Sequence, residues 1–279
     1  MRWLRNLFSR PAPEAAAPER PPAPSQAAAA VTGWDSWRAV TPDGPVAVAL
    51  DLSLEGRVPD PARPHLVRVS YPLRAPDAEG LPTAAEGEAL ARAEDALSAA
   101  FAAAGATYAG RVTMAGARHH LFYLADEGPA AEALAAAAPG LEGYQPALEA
   151  EPDPGWRGWS DELWPPPRAR RWMEDRRQVE ALARHGDRPE TARPVDHQAS
   201  FATPEAREAF AAEAAALGFE PAERRDDAPA PSPFAIDLRR DDPVTLRHLH
   251  GVTWTLCELA ARHGGSYDGW EPAGAARPS

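Results

Sequence analysis

Apolar and polar positions alternate along PVAVALDL (45–52) and again along PHLVRVSYPL (64–73). A period of two marks strands that bury one face. The spacing then lengthens to that of a helix through GLPTAAEGEALARAEDALSAAFAAAG (80–105). Thr83 and Glu86 fit a capping box at its start, and Gly105 fits its stop. ATYAGRVTMAGARHHLFYLAD (106–126) is two strand-like runs around Ala115-Gly116, which predicts a hairpin. GPAAEALAAAAPG (128–140) predicts a short helix, and YQPALEAEPD (144–153) a strand. After the first strand the order is β-α-β-β-α-β.

A Trp- and Pro-rich connection follows at 152–169, with three tryptophans suited to covering a sheet edge or a seam. The next block opens with a helix in RARRWMEDRRQVEALARHGD (168–187). Strands are expected at RPVDHQASFA (193–202), FEPAERR (219–225), PFAIDLRR (233–240) and SYDGWEP (266–272). Between them lie two helices. One has Thr203 as N-cap and Pro204 first; the other has Asp242 as cap, Pro243 first and Gly264 or Gly265 as its stop. The order is again β-α-β-β-α-β. Right-handed crossovers turn that order into a split β-α-β sandwich. The predicted fold class is therefore α+β: two tandem ferredoxin-like sandwiches, antiparallel sheets with helices on one face. The expected organisation is a disordered N-terminal segment and Pro/Ala linker over 1–32, one domain over 33–167 and a second over 168–279.

Composition narrows what these domains do. The formal net charge is −12, with 29 basic residues, all of them arginine. Ten arginines face twenty carboxylates in residues 33–169, and fifteen face nineteen in 170–279. That balance argues against a nonspecific grip on nucleic acid, which needs clustered positive charge. It suits solubility or an Arg/Lys-rich protein partner. The lone cysteine, Cys257, lies in the apolar helical run GVTWTLCELAARH and is expected to be a buried thiol. No apolar run approaches the roughly 18–20 residues that span a bilayer, so a cytoplasmic protein is expected. Trp3, Leu4, Leu7 and Phe8 with Arg2, Arg5 and Arg10 could form an interfacial helix over 2–10, or simply a frayed terminus.

No assembled chemistry stands out. There is no Gly-x-Ser-x-Gly elbow, no HExxH and no lysine for a phosphate loop. His248 and His250, two apart in a helix, do not share a face. HGGSYDGW follows a helix instead of preceding one, so it lacks the dipole a phosphate would need. Catalytic, metal and cofactor residues are therefore expected to be absent. Two candidate surfaces remain. One is an interaction surface from Asp196, His197, Asp226, Asp227, Tyr267, Asp268 and Trp270. The other is a polar site for a small molecule or a hydrolytic reaction on the hairpin 111–123, from Arg111, Arg118, His119, His120 and Tyr123.

The motifs HGD (185–187), RPVDHQASF (193–201), LGFE (217–220) and GGSYDGWE (264–271) resemble, in that order and spacing, the regulator of ribonuclease E activity B family over about 170–275. GLPTAAEGEAL (80–90), RVTMAGARHHLFYLAD (111–126) and WRGWSDELWPPP (156–167) resemble a bacterial domain family of unknown function that often precedes such a regulator. The first resemblance implies a ferredoxin-like protein that is not an enzyme. It implies binding to a ribonuclease E-like endoribonuclease or its scaffold region, inhibition of the nuclease, and restraint of RNA decay. It offers no catalytic residue to carry over; direct contact with nucleic acid is not expected, on the negative charge of the block. This chain departs from the family's long acidic stretches and adds the N-terminal domain.

Overall fold

A computed structural model of the chain describes residues 33–227 and 231–272. The linker expected over 1–32 and the interfacial helix expected at 2–10 lie outside the described residues. The chain divides into two compact units, one ending at Ala169 and one beginning at Arg170. Each is an α+β sandwich on its own antiparallel sheet, as the residue pattern predicted.

The first sheet has six strands: β1 (Trp34–Thr41), β2 (Gly44–Asp51), β3 (His65–Pro72), β4 (Thr107–Met114), β5 (Ala117–Leu124) and β6 (Ala147–Pro152). Helices α1 (Gly87–Ala103) and α2 (Ala130–Ala137) join β3 to β4 and β5 to β6. The spatial order is β1-β2-β4-β5-β3-β6. Its β4-β5-β3-β6 portion is the split β-α-β arrangement. The hairpin β1–β2 widens the sheet beyond β4. The pattern of residues 45–52 predicts β2 and leaves β1 unassigned. The signal for β1 is the turn sequence Pro42-Asp43-Gly44, and Trp37 on β1 is only 1% exposed.

One face of this sheet carries the helices. Val67, Val69 and Tyr71 of β3 with Phe122 and Leu124 of β5 pack against Ala93, Leu97 and Phe101 of α1. Phe101 and Phe122 stack at 4.2 Å. The other face is covered too, by the Trp-rich connection. Trp156 lies flat on Tyr123 at 3.7 Å and donates to the carbonyls of Asp60 and Arg63. Asp153 accepts from the Tyr123 hydroxyl and from the amides of Arg157 and Gly158. A short helical turn, Gly158–Leu163, follows. There Glu162 pairs bidentately with Arg68 (2.8 and 2.9 Å) and the Leu163 carbonyl accepts from the Trp37 indole.

The expected capping box does not form. Glu86, 2% exposed, reaches away from its own helix to the amides of Arg74 and Ala75 and to the Tyr144 hydroxyl. The Thr83 hydroxyl donates to the Ala75 carbonyl. Both side chains pin the loop before α1, where the amides of Arg74 and Ala75 lie beyond the end of β3.

The second sheet holds β7 (Arg193–Phe201), β8 (Glu220–Arg225), β9 (Phe234–Asp242) and β10 (Ser266–Pro272) in the order β10-β7-β9-β8. Helices α4 (Pro204–Ala216) and α5 (Leu246–Arg262) supply the crossovers, and α3 (Pro167–Arg184) leads in. Ala199, Phe201, Ile236 and Leu238 meet Phe210, Leu256 and Leu259 in the core. Thr203 caps α4 as predicted, accepting from the Ala206 amide. Asp242 does not cap α5, which starts at Leu246 behind Thr245. It remains in β9 and accepts from Arg240 and His248 instead. Burial raises the Asp242 pKa, but those hydrogen bonds outweigh it and hold the carboxyl below its ordinary value.

Candidate functional site

The pairing register of the second sheet assigns side chains to two faces. Ala199, Phe201, Ile236 and Leu238 turn to the helices. The alternating set from the same strands turns to the helix-free face: Asp196, Gln198 and Ser200 on β7, Ala235, Asp237 and Arg239 on β9, Glu223 and Arg225 on β8. Glu271 of β10 pairs with Asp196 and joins them. Two bidentate forks organise this face. Arg239 holds Asp196 at 2.6 and 2.9 Å, and Arg225 holds Asp237 at 2.8 and 2.9 Å. Such forks fix planar geometry as well as charge. A bulge between Tyr267 and Gly269 brings Asp268 to the same face. Asp196 and Asp237 are buried within their forks, 8% and 2% exposed, while Glu223 and Asp268 are exposed and Glu271 is half-buried, so the charge this face adds beyond the forks is negative. The surface is ordered and negative.

The other residues expected on an interaction surface are placed differently. Asp226 is exposed and paired with Arg207 at 2.5 Å, and Asp227 beside it is exposed. His197, 1% exposed, sits on the helix side. Its Nδ1 meets the Tyr267 hydroxyl at 2.8 Å and its ring lies edge-on to Phe219. Burial pushes its pKa down to about 4, so it is neutral near pH 7. Trp270 is 4% exposed, and its indole donates to Asp175 at 3.0 Å. His197, Tyr267 and Trp270 therefore belong to the interior, on the opposite face from Asp196 and Asp268.

Asp175 itself was not singled out in the sequence. It is fully buried and accepts from Arg171, His250, Thr253 and Trp270, joining α3, α5 and β10. Its only sequence signal is an acid on the apolar stripe of α3. Cys257 is half-buried, and burial pushes its thiol up to about 12, which leaves it protonated and unreactive near neutral pH.

In the first unit the five residues expected to share a polar site are split by the sheet. Arg111, Arg118 and His120 lie on the helix side, Arg111 opposite His120 and Arg118 opposite Thr113; His119 and Tyr123 lie on the tryptophan side. The physical reason is the strand's period of two, with a bulge between Tyr108 and Gly110 that puts Tyr108 and Arg111 on the same face. His119 faces Ser70, with its pKa lowered to about 4 by burial and by Arg68. Tyr123 donates to Asp153 within the tryptophan cover. On the helix side, Glu94 of α1, which the sequence did not flag, accepts from Arg111 and from the Tyr108 hydroxyl. Among the described residues no group of three or more His, Cys, Asp or Glu is arranged to hold a metal ion. No described helix is long and apolar enough to cross a membrane.

These features define a class: a protein of two tandem α+β sandwiches, the second presenting an ordered acidic sheet face. Residues 172–271 match the model of the family Regulator of ribonuclease activity B, and residues 32–164 that of a Family of unknown function (DUF695). The two units are thus similar to two different family models, in that order. A crystal structure of an unknown protein from Galdieria sulphuraria aligns at 15% identity and a TM-score of 0.22, over 76% of this chain and 98% of that one. No curated protein matches significantly.

Proposed function

We propose that the second unit is a non-enzymatic regulator that binds a ribonuclease E-type endoribonuclease and restrains its cleavage of RNA. The family match over residues 172–271 carries this reading. The helix-free face of the second sheet is our candidate for the contact. Its carboxylate excess suits a basic segment of the nuclease or its scaffold, and complementary charge speeds encounter and sets partner choice. A flat sheet face bordered by β8 and β10 also gives an extended segment a long track. Such a regulator works in the cytoplasm, where RNA is turned over.

The test is binding of the full chain to the purified endoribonuclease, with cleavage of a model RNA followed in parallel. The expected result is saturable binding with slower cleavage, weakened by salt and by the double reversal Glu223→Arg/Asp268→Arg. Absence of binding, or inhibition unchanged by that reversal and by salt, counts against this surface. Failure to recover any ribonuclease from cell extract counts against the assignment as a whole.

A further inference from the structure

On the helix side of the first sheet lies a buried cation that has no carboxylate within hydrogen-bond or ion-pair reach among the described residues. Arg118 is 8% exposed. Its Nε donates to the Thr113 hydroxyl at 3.0 Å. Its terminal amines find no carboxylate among the described residues, yet they are not among the buried side-chain atoms sealed from solvent without a partner. They thus keep contact with solvent. A buried guanidinium in that state is costly unless something pairs with it.

The neighbours sharpen the point. Tyr71 stands opposite Arg118 on β3, and Thr113 stands opposite on β4. A hydrogen-bond relay borders the site. Because the Tyr108 hydroxyl donates to Glu94, it accepts from His120 Nδ1, and His120 Nε2 then accepts from the Tyr71 hydroxyl. The relay keeps His120 neutral and uses the Tyr71 proton, so Tyr71 offers Arg118 only an oxygen. Glu94 also takes Arg111 as its ion-pair partner. Two arginines and one glutamate leave one positive charge in excess. The β2 residues opposite Thr113 and Arg111 on this face are Ala47 and Ala49, so the flank there is low. Burial and the neighbouring Arg111 both lower the Arg118 pKa, with Tyr71 and Glu94 opposing them, as expected for a guanidinium lacking its anion.

We propose that Arg118 and Thr113 form a binding site for the carboxylate of a small monoanionic acid. The planar guanidinium matches a carboxylate fork. One excess charge calls for one negative charge, and Glu94 nearby repels a dianion such as phosphate or sulfate. The site lies in the unit of unknown function and does not depend on the ribonuclease reading.

The experiment uses the full chain at pH 7 and constant ionic strength. Thermal unfolding and calorimetric titration are run with acetate, propionate and benzoate, with chloride as reference and with sulfate and phosphate as dianion probes. At least one carboxylate is expected to bind at a single saturable site and raise the melting temperature above the chloride value. Arg118→Gln should abolish that response without lowering ligand-free stability, since it removes an uncompensated charge. Arg118→Lys, which keeps charge and loses the fork, should weaken binding by about tenfold. Arg92→Gln on the exposed side of α1 should respond as the parent does. The proposal is overturned if no carboxylate exceeds chloride, if Arg118→Gln responds like the parent, or if only the dianions bind. Should Arg118→Gln fail to fold, the Lys variant and the titration of the parent still decide.

Discussion

Ala115 sits at φ +48° at the tip of the β4–β5 turn, followed by Gly116 at +74°. An L-residue with a Cβ pays roughly 1 kcal/mol to adopt that conformation, and asparagine tolerates it better. Ala115→Asn should therefore stabilise the first unit by about 0.5–1 kcal/mol in urea unfolding. Asp175 represents the opposite case. Its two oxygens serve four donors. Asp175→Asn leaves the buried Arg171 with Glu174 as its remaining charge partner and puts an amide among donors. Loss of about 3 kcal/mol in the unfolding of the second unit is expected, with a matching change in Trp270 fluorescence. The turn at Ala115-Gly116 was legible because it is local: two residues of particular backbone need lie between two alternating runs. Asp175 was not, because its partners other than Arg171 lie 75 to 95 residues away.

At the scale of elements, the tryptophan strap is the feature that local pattern least explains. Pro-rich, aperiodic sequence reads as connection, yet it closes a whole sheet face. Gly158 makes this possible. A Cβ there would stand 2.8 Å from both Leu66 Cδ2 and the Tyr123 hydroxyl. Gly158→Ala should lift the strap, cost about 1–3 kcal/mol and red-shift the emission of Trp156 and Trp159. A second tight approach ends α5: a Cβ on Gly265 would lie 2.2 Å from Phe201, so the chain can turn into β10 only with glycine there. Gly265→Ala should destabilise the second unit by a similar amount, read as a lower urea midpoint. The helix and strand order was readable from periodicity. What covers each sheet was not, since a strand buried on both faces and one buried on a single face both alternate when one face carries paired charges, as Asp196 and Arg239 show.

Across the whole molecule, both units share one response to acid. His119 and His197 titrate at about 4 in the folded chain, against 6.5 for an ordinary histidine. His120 is lowered further in the same direction, by burial first and then by Arg118 and Arg111. The unfolded chain therefore binds more protons between those values. Stability is complete above about pH 6.5 and falls as pH drops toward 4, by about 2 kcal/mol per histidine between pH 7 and pH 5. Denaturant titrations at the two pH values should show this loss in both units, and a pH-independent midpoint would contradict it. The sequence by itself determined the tandem β-α-β-β-α-β order, because periodicity, caps and glycine stops act over a few residues. It also determined the family of the closing strand, since HGGSYDGWE is a contiguous pattern. Only the tertiary structure decided which residues meet. It divided the His119-His120 pair between two faces, sent Trp270 inward to Asp175, and left Arg118 with buried charge beside a glutamate already taken by Arg111. Those outcomes depend on strand register, bulges and long-range pairing, which bring together residues that no local pattern relates.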